Sequence, residues 1–588
     1  MAKWHIKEND ANINLMSDTL GIDPFLCKLL ANRNVRTKNT AIKFLNPIKK
    51  FMSDNLGILG MKEAIDFILH NNDKKIAIYG DYDVDGVCST TILYKGLEPI
   101  IKNLSFYIPH REHEGYGLNK KAISNLADNG IQIILACDNG ITAIEEIEYA
   151  KSLGISFVII DHHEPIIKNG EEILPDAIIV NPKQNLCNYQ FKSMCAAGLS
   201  YKFIEELYKS KSMNFLQEKE LLIFAAIATL CDVVELQGEN RIIVRLGLDL
   251  LKEPITNIGL YALVKEKNLV YINEEAIGFS IGPCINAAGR LNTAMMAVEL
   301  FLSNNKEKAK NLAKQINELN EQRKELTQTA MNMILEDDES ASIANTDKVI
   351  VLYKPKIHES VAGIVAGRIK DMMYKPTIVI TSGEEGAKGS ARSIEGYNIY
   401  GSLASYRHLF IKFGGHEMAA GLSLVPENIQ ALREGLNKDF GENIEELIEI
   451  DAELDLDKAT YKLTQDIDIL RPFGKANEAP VFVSYGVTLY HLRMIEEKNT
   501  LIFTFETQTG RSIKGLSFGR GAIDKFINMI YNSFSEEEAE QIFNGVLRNI
   551  DIKFDIVYYV EMNSYNGISN VQLKIKDFLV QKRINNGF

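Results

Sequence analysis

Five short apolar runs lie between Lys74 and Pro182: IAIYG, LSFYIP, IQIILACD, ISFVIID and AIIVNP, parted by stretches of helix length. Continuous β-branched strands that alternate with helices read as a parallel sheet covered on both faces, so this region predicts an α/β domain. Three of the runs end in side chains that carry chemistry. Asp81, Asp83 and Asp85 follow IAIYG, Asp138 follows IILAC, and Asp161, His162 and His163 follow FVII. In an open parallel sheet the ligand crevice lies beyond the carboxyl ends of the strands, so these groups are expected to converge there. Asp232, in ATLCDVV, follows a buried apolar segment and is a fourth candidate.

So many carboxylates and imidazoles in one crevice repel each other and shift their own pKa values unless a counter-charge is present. A divalent metal supplies it. Ligand sets rich in oxygen with one or two histidines favour Mg²⁺ or Mn²⁺ over zinc, and no cysteine stands among these Asp and His candidates. Two such ions suit phosphoester hydrolysis, since the pair activates water and stabilises charge on the attacking and leaving oxygens. A lone Asp at one of these positions would read as a loop or cap residue; DYDVDG, DNG and DHH together do not. The first strand-to-helix turn also lacks G-x-G-x-x-G, which excludes a nicotinamide dehydrogenase.

Elsewhere the chain is less explicit. No Gly or Pro occurs between Gly289 and Pro355, and Leu312, Ile316, Leu319, Leu326 and Ala330 recur at helical spacing. One amphipathic helix of about 30 residues, roughly 45 Å long, is expected to bridge two domains, the alternative being two helices broken at a polar turn. A second α/β segment follows through VIVLYK, PTIVITS, KGSARS and FGGHEMAAG. The last 130 or so residues alternate strands with Gly and Asn turns, the pattern of a small antiparallel barrel. The expected divisions are a polar, helical lead-in at 1–50, the first α/β domain at 51–303, the connecting helix at 304–340, the second α/β domain at 341–450 and the barrel at 451–588.

GDYDVDG, CDNG, DHH and CDVVELQGENR resemble the four motifs of the DHH phosphoesterase superfamily. IGPCINAAGR, GSARS, GGHEMAAG and RPFGKANEAPVF are similar, in the same order, to its bacterial branch of single-strand-specific exonucleases. The resemblance implies a parallel-sheet DHH domain and a DHHA1-type domain joined by the long helix, with a C-terminal OB-fold. It also implies a hydrolase using two Mn²⁺ or Mg²⁺ ions that removes nucleotides from the 5′ end of single-stranded DNA, in repair and recombination. A single-strand-binding protein and a helicase are the partners that it suggests.

Carried over by motif, Asp83 and Asp85 each hold one metal, Asp138 bridges the two, and His162 and Asp232 complete the shells. Asp81 is a ligand or orients one, His163 faces the scissile phosphate, and Asp161 joins the catalytic group by fixing the histidine pair. Arg111, Ser390 and Arg392 match positions that hold substrate phosphate, and an Arg fork suits a phosphate dianion; a surface ion pair is the other reading. Gly414, Gly415 and His416 of GGHEMAAG are further substrate candidates, although a Gly-rich turn before a helix is common. Asn286 and Arg290 are placed to line the groove between the lobes, and a packed Ala-Gly helix contact explains AAG equally well. Glu-Ser in IHESVAGIVAGR and the segment CAAGLSYKF depart from the family pattern.

The charge balance sets a limit on DNA binding. With 65 basic and 78 acidic residues the net charge is −13, and residues 451–588 hold 16 Lys or Arg against 19 Asp or Glu. Whole-surface attraction to nucleic acid or an anionic membrane is excluded, and any DNA path is a local stripe. Seven scattered cysteines without a CxxC pair, a start (MAKWHIKEND) that lacks an apolar stretch and a longest apolar run of LLIFAAIATLC fit a cytoplasmic protein with no membrane span. Two rival functions share these ligands: a short-oligonucleotide or cyclic-dinucleotide phosphodiesterase, which needs no barrel, and an inactive single-strand-binding scaffold, which would lose acidic ligands.

Overall fold

The computed structural model describes residues 2–111, 114–115, 117–383, 386–441, 444–545, 552–565 and 568–581; Glu112, His113 and Tyr116 of the PHREHEGYG segment lie outside them. The five apolar runs form one parallel sheet. Along it the strands stand in the order Asn103–Tyr107, Lys75–Tyr79, Ile133–Cys137, Ser156–Ile160, Ile178–Val180. Chain order therefore reverses between the Lys75–Tyr79 and Ile133–Cys137 strands, where an open sheet parts its loops and leaves a crevice. One face packs on the nearly all-buried helix Val84–Leu97 and on Ala196–Ser210 and Glu218–Cys231; the other packs under Lys120–Asp128 and Ile144–Ser152. The connection before the last strand is not the expected helix but a hairpin, Ile166–Lys168 with Glu171–Ile173. Its turn is Asn169-Gly170, both at positive φ, the dipeptide that a tight hairpin turn favours.

A single helix, Lys306–Leu335, runs for 30 residues to the second lobe, capped by Asn305. That lobe has a five-stranded mixed sheet in the order Phe410–His416, Ala419–Leu424, Gly386–Arg392, Thr377–Gly383, Ile350–Tyr353, with the helix Glu359–Met373 against it.

The C-terminal strands Phe482–Ile495, Thr500–Glu506, Ser512–Phe518, Ile568–Val580 and Lys553–Tyr565 close into a barrel around Phe503, Phe505, Phe526, Phe554 and Phe578. It is not wholly antiparallel, because Ser512–Phe518 pairs in parallel with Ile568–Val580. Five strands in a ring cannot alternate direction throughout, so one junction must be parallel.

Residues near the N-terminus are more than a helical lead-in. Lys3–Ile6 is a strand paired in parallel with Leu447–Ile450, and Trp4 Nε1 donates to Asp577 over 2.9 Å. The helices Ile13–Leu20, Pro24–Ala31 and Lys38–Leu45 bury Met16, Leu26, Leu30 and Phe44 in the barrel's own core. All seven cysteines are free thiols, and no helix among the described residues is long and apolar enough to cross a membrane.

Candidate metal centre and phosphate groove

The loop after the Lys75–Tyr79 strand carries Asp81, Asp83 and Asp85 into the crevice. Asp83 caps the following helix, its carboxylate accepting from Gly86 N–H over 3.0 Å. A side chain at Gly86 would collide with the main chain of Asp81, so glycine is what lets this loop fold back on itself. Asp85, buried in the first turn, reaches the start of the helix Ala196–Ser210 and accepts from the backbone N–H groups of Ala196 (2.7 Å) and Ala197 (2.8 Å). That helix has no side-chain cap of its own, so an acidic group at its positive end is stabilised there. The sequence offered no role for these two alanines, because their contribution is main-chain.

Asp138 follows the Ile133–Cys137 strand at φ +62, and Val233, beside Asp232, is held at φ +55. Left-handed backbone at a β-branched residue persists only where its surroundings over-determine it. His162 joins the acidic groups: its Nε2 is 3.3 Å from Asp138 Oδ1 and 3.7 Å from Asp85 Oδ2, and its Nδ1 is 3.8 Å from Asp232 Oδ2. Asp161 plays a different part. One oxygen accepts from His163 Nδ1 (2.7 Å) and from the backbone N–H of His162, and the other accepts from Ile141 N–H. Both oxygens of Asp161 are thus engaged within the protein, and the residue is 1% exposed.

Burial drives Asp81, Asp85, Asp138 and Asp232 toward the protonated form, and acidic neighbours add to it. Asp81 is raised by burial and Asp83, and Asp138 by burial and by Asp85, Asp83, Asp81 and Asp232. Asp85 rises to about 6, and Asp232 to about 8. Burial and the charge of His163 depress His162 to about 3, so it is a neutral imidazole, the form that binds metal. Asp81 Oδ1 and Asp232 Oδ2 are buried with no hydrogen-bond partner in the protein. Three groups bring their ligand atoms within 4.8 Å of one another: Asp81, Asp83 and Asp138; Asp138, His162 and His163; Asp85, His162 and Asp232. Orphaned acidic oxygens beside a neutral imidazole fit divalent cations.

Next to this cluster lies a groove of about 670 Å³ between the two lobes, lined by Tyr82, Arg111, Arg290, Ser390, Arg392 and Lys412 among others. Alternation along the Gly386–Arg392 strand puts Lys388, Ser390 and Arg392 on the groove face while Ala387, Gly389 and Ala391 are buried. Arg392 donates to Ser390 Oγ over 3.1 Å, and Arg111 stacks on the Tyr82 ring, 5.0 Å from its centroid. Arg290 donates to the Ser360 carbonyl across the lobes (3.1 Å); burial, then Arg111 and Arg392, lower it to about 9. Cations that repel one another over a shared space mark an anion site. The AAG packing is present too: a side chain on Gly289 would strike the Tyr82 carbonyl.

Three candidates, Asn286, Gly415 and His416, fall outside that lining. Asn286, one helical turn before Arg290, lines a second groove of about 980 Å³ between the parallel-sheet domain and the barrel. Gly414, Gly415 and His416 form the end of a strand and not a turn before a helix; Gly414 lines the phosphate groove, whereas His416 is exposed at the strand end, paired with Ala419, outside that lining. Tyr82 escaped the sequence reading, although an aromatic residue inside an acidic loop is a signal for a cation stack.

Three family descriptions match in order: the DHH family N-terminal domain at 75–229, the DHHA1 domain at 346–442 and the RecJ OB domain at 450–577. Together they define a DHH-type phosphoesterase carrying an OB-fold. The single-stranded-DNA-specific exonuclease RecJ of Bacillus subtilis is 33% identical over 592 residues, covering 99% of this chain and 71% of that protein. The chain belongs to the RecJ family. The crystal structure of RecJ in complex with Mn²⁺ from Thermus thermophilus has the same fold, with a TM-score of 0.80 and 22% identity over 98% of this chain and 79% of that one. A crystal structure of exonuclease RecJ bound to manganese matches at 28% identity and a TM-score of 0.58, over 67% of this chain and 98% of that one.

Proposed function

We propose that the chain is a metal-dependent exonuclease that hydrolyses single-stranded DNA from its 5′ end to mononucleotides. The observation that carries this is the junction of two sites: an acidic and histidine cluster at the sheet's switch point opens beside a groove of three arginines from both lobes. Asp81, Asp83 and Asp138 would hold one Mn²⁺ or Mg²⁺ ion, and Asp85, His162 and Asp232 would hold the other. When bound, the ions supply nucleophile activation and charge stabilisation on the phosphodiester.

The chain's own residues do the rest. Asp161 fixes the ring of His163, which donates to a phosphate oxygen. Arg111, Arg290, Ser390 and Arg392 grip a terminal phosphate, whose second charge an internal phosphate lacks. The OB barrel holds the strand that follows, by base stacking and a local basic stripe. A helicase and a single-strand-binding protein in the cytoplasm are the partners that fit such a substrate.

The test is end-labelling. Purified protein with Mn²⁺ is given 5′-labelled and 3′-labelled single strands, a duplex and a dinucleotide. Labelled mononucleotide is expected first from the 5′ end of single strands; release first from the 3′ end, or hydrolysis of the dinucleotide alone, overturns the reading.

A further inference from the structure

The RPFGKANEAP segment belongs to no strand of the barrel, yet it is clasped from two sides. Arg241 of the catalytic domain is 2% exposed and stacks on the Phe44 ring, 3.8 Å from its centroid. Its guanidinium donates to four main-chain carbonyls: Phe44 (2.9 Å), Leu470 (3.0 Å), Arg471 (2.9 Å) and Pro472 (3.4 Å). From the other side Arg33 donates to Asn477 Oδ1 (2.9 Å) and the Glu478 carbonyl (2.6 Å), and Asn477 itself donates to the carbonyls of Leu470 and Pro472. A fixed fork of donors among buried carbonyls has no easy substitute, since its removal leaves them unpaired.

The same loop grips the chain beside the metal centre. Leu236 N–H donates to the Lys475 carbonyl (2.8 Å) and Gln237 Nε2 to the Ala476 carbonyl (3.0 Å). Leu236 lies four positions after Asp232, and between them stands Val233 at φ +55. The short segment from Asp232 to Gln237 thus takes a strained course that is held at its far end by the barrel domain, while Asn240 donates to the Glu235 carbonyl (2.9 Å) within its own domain. Asp232 Oδ2 has no hydrogen-bond partner in the protein to hold it in place.

We propose that loop 470–478, clasped by Arg241, is the support that keeps Asp232 in place for its metal ion, so that the barrel domain sets metal occupancy as well as contact with DNA. This rests on the two-ion reading of the site. Arg241 is then a positioning residue, acting on the metal through the loop and the 232–237 segment, as the outer partners of metal ligands do.

The experiment is Mn²⁺ titration of the full chain followed by electron paramagnetic resonance. Wild type binds two ions, and Asp232→Ala identifies the step that depends on Asp232. Arg241→Lys is expected to weaken that step about tenfold, to leave the other step unchanged, and to regain hydrolysis as Mn²⁺ is raised. Gln237→Ala, which removes one partly exposed contact without emptying a buried site, should weaken the same step about threefold; it decides the matter if Arg241→Lys does not fold. Wild-type affinity at both steps in the folded variants overturns the proposal. Failure of wild type to bind two ions, or an Asp232→Ala variant that keeps both steps, overturns the two-ion reading instead.

Discussion

Arg392 Nη1 lies 3.1 Å from Ser390 Oγ, two positions apart on one strand face, so each holds the other toward the groove that Arg111 and Arg290 enter from the opposite lobe. In the proposed function a guanidinium fixed in this way would distinguish a doubly charged terminal phosphate from a singly charged internal one. Arg392→Ala should cost about 1.5 to 3 kcal/mol in kcat/KM on 5′-phosphorylated strands and narrow their advantage over 5′-hydroxyl strands. The check is kcat/KM on both substrates. An equal loss on the two would mean that Arg392 holds the body of the strand.

Metal should stabilise the fold as well as activate it. The oxygens of Asp81 and Asp232 that lack a partner in the protein would gain one from a bound cation, and an ion that binds the folded chain alone contributes about 2.7 kcal/mol per site at a hundred times its Kd. Melting in Mn²⁺ should therefore occur well above melting in chelator, and Asp138→Ala should lose most of that difference. Equal melting temperatures of wild type with and without metal would count against the site.

A pH dependence is expected in the second lobe. Asp347 accepts from Arg433 Nε (2.6 Å) and Nη2 (3.0 Å). Burial raises the carboxyl, but Arg433 together with Thr346 and Lys375 outweighs burial and holds it below the ordinary value. A depressed carboxyl contributes stability that is present above its unfolded pKa, about 3.9, and is lost as pH falls through the folded value. Asp347→Asn should lower stability by about 1 kcal/mol between pH 5 and 8, with the gap closing below about pH 4. Thermal melting across that range checks it; a gap that widens toward acid would contradict the sign.

The parts of the fold that were legible are those written in local periodicity. The five apolar runs, the Lys306–Leu335 helix and the acidic strand ends each declare themselves within a few residues, and open-sheet geometry does the rest. What was not legible depends on partners far away in the chain. Nothing near Lys3 announces a strand, because its partner begins at Leu447; the helices around Leu26 and Phe44 find their core in the barrel. Asp85 and Ala196 meet through a backbone N–H that any residue could supply, and Asn286 and Arg290, one turn apart, face different grooves. The Asn169-Gly170 hairpin was a readable signal passed over in favour of a helix of the right length.

The central claim is that Asp138, between Asp81 and Asp83 on one side and His162 on the other, belongs to a metal centre that cuts DNA and does not hold it. Single-turnover hydrolysis of a 5′-phosphorylated single strand by Asp138→Ala in saturating Mn²⁺, measured beside fluorescence anisotropy of the same strand, tests it most directly. The variant should bind the strand nearly as wild type does and release no nucleotide, because the groove and the barrel remain while the carboxylate proposed to serve both ions is gone. Wild-type turnover in saturating Mn²⁺ would remove Asp138 from the centre and contradict the account.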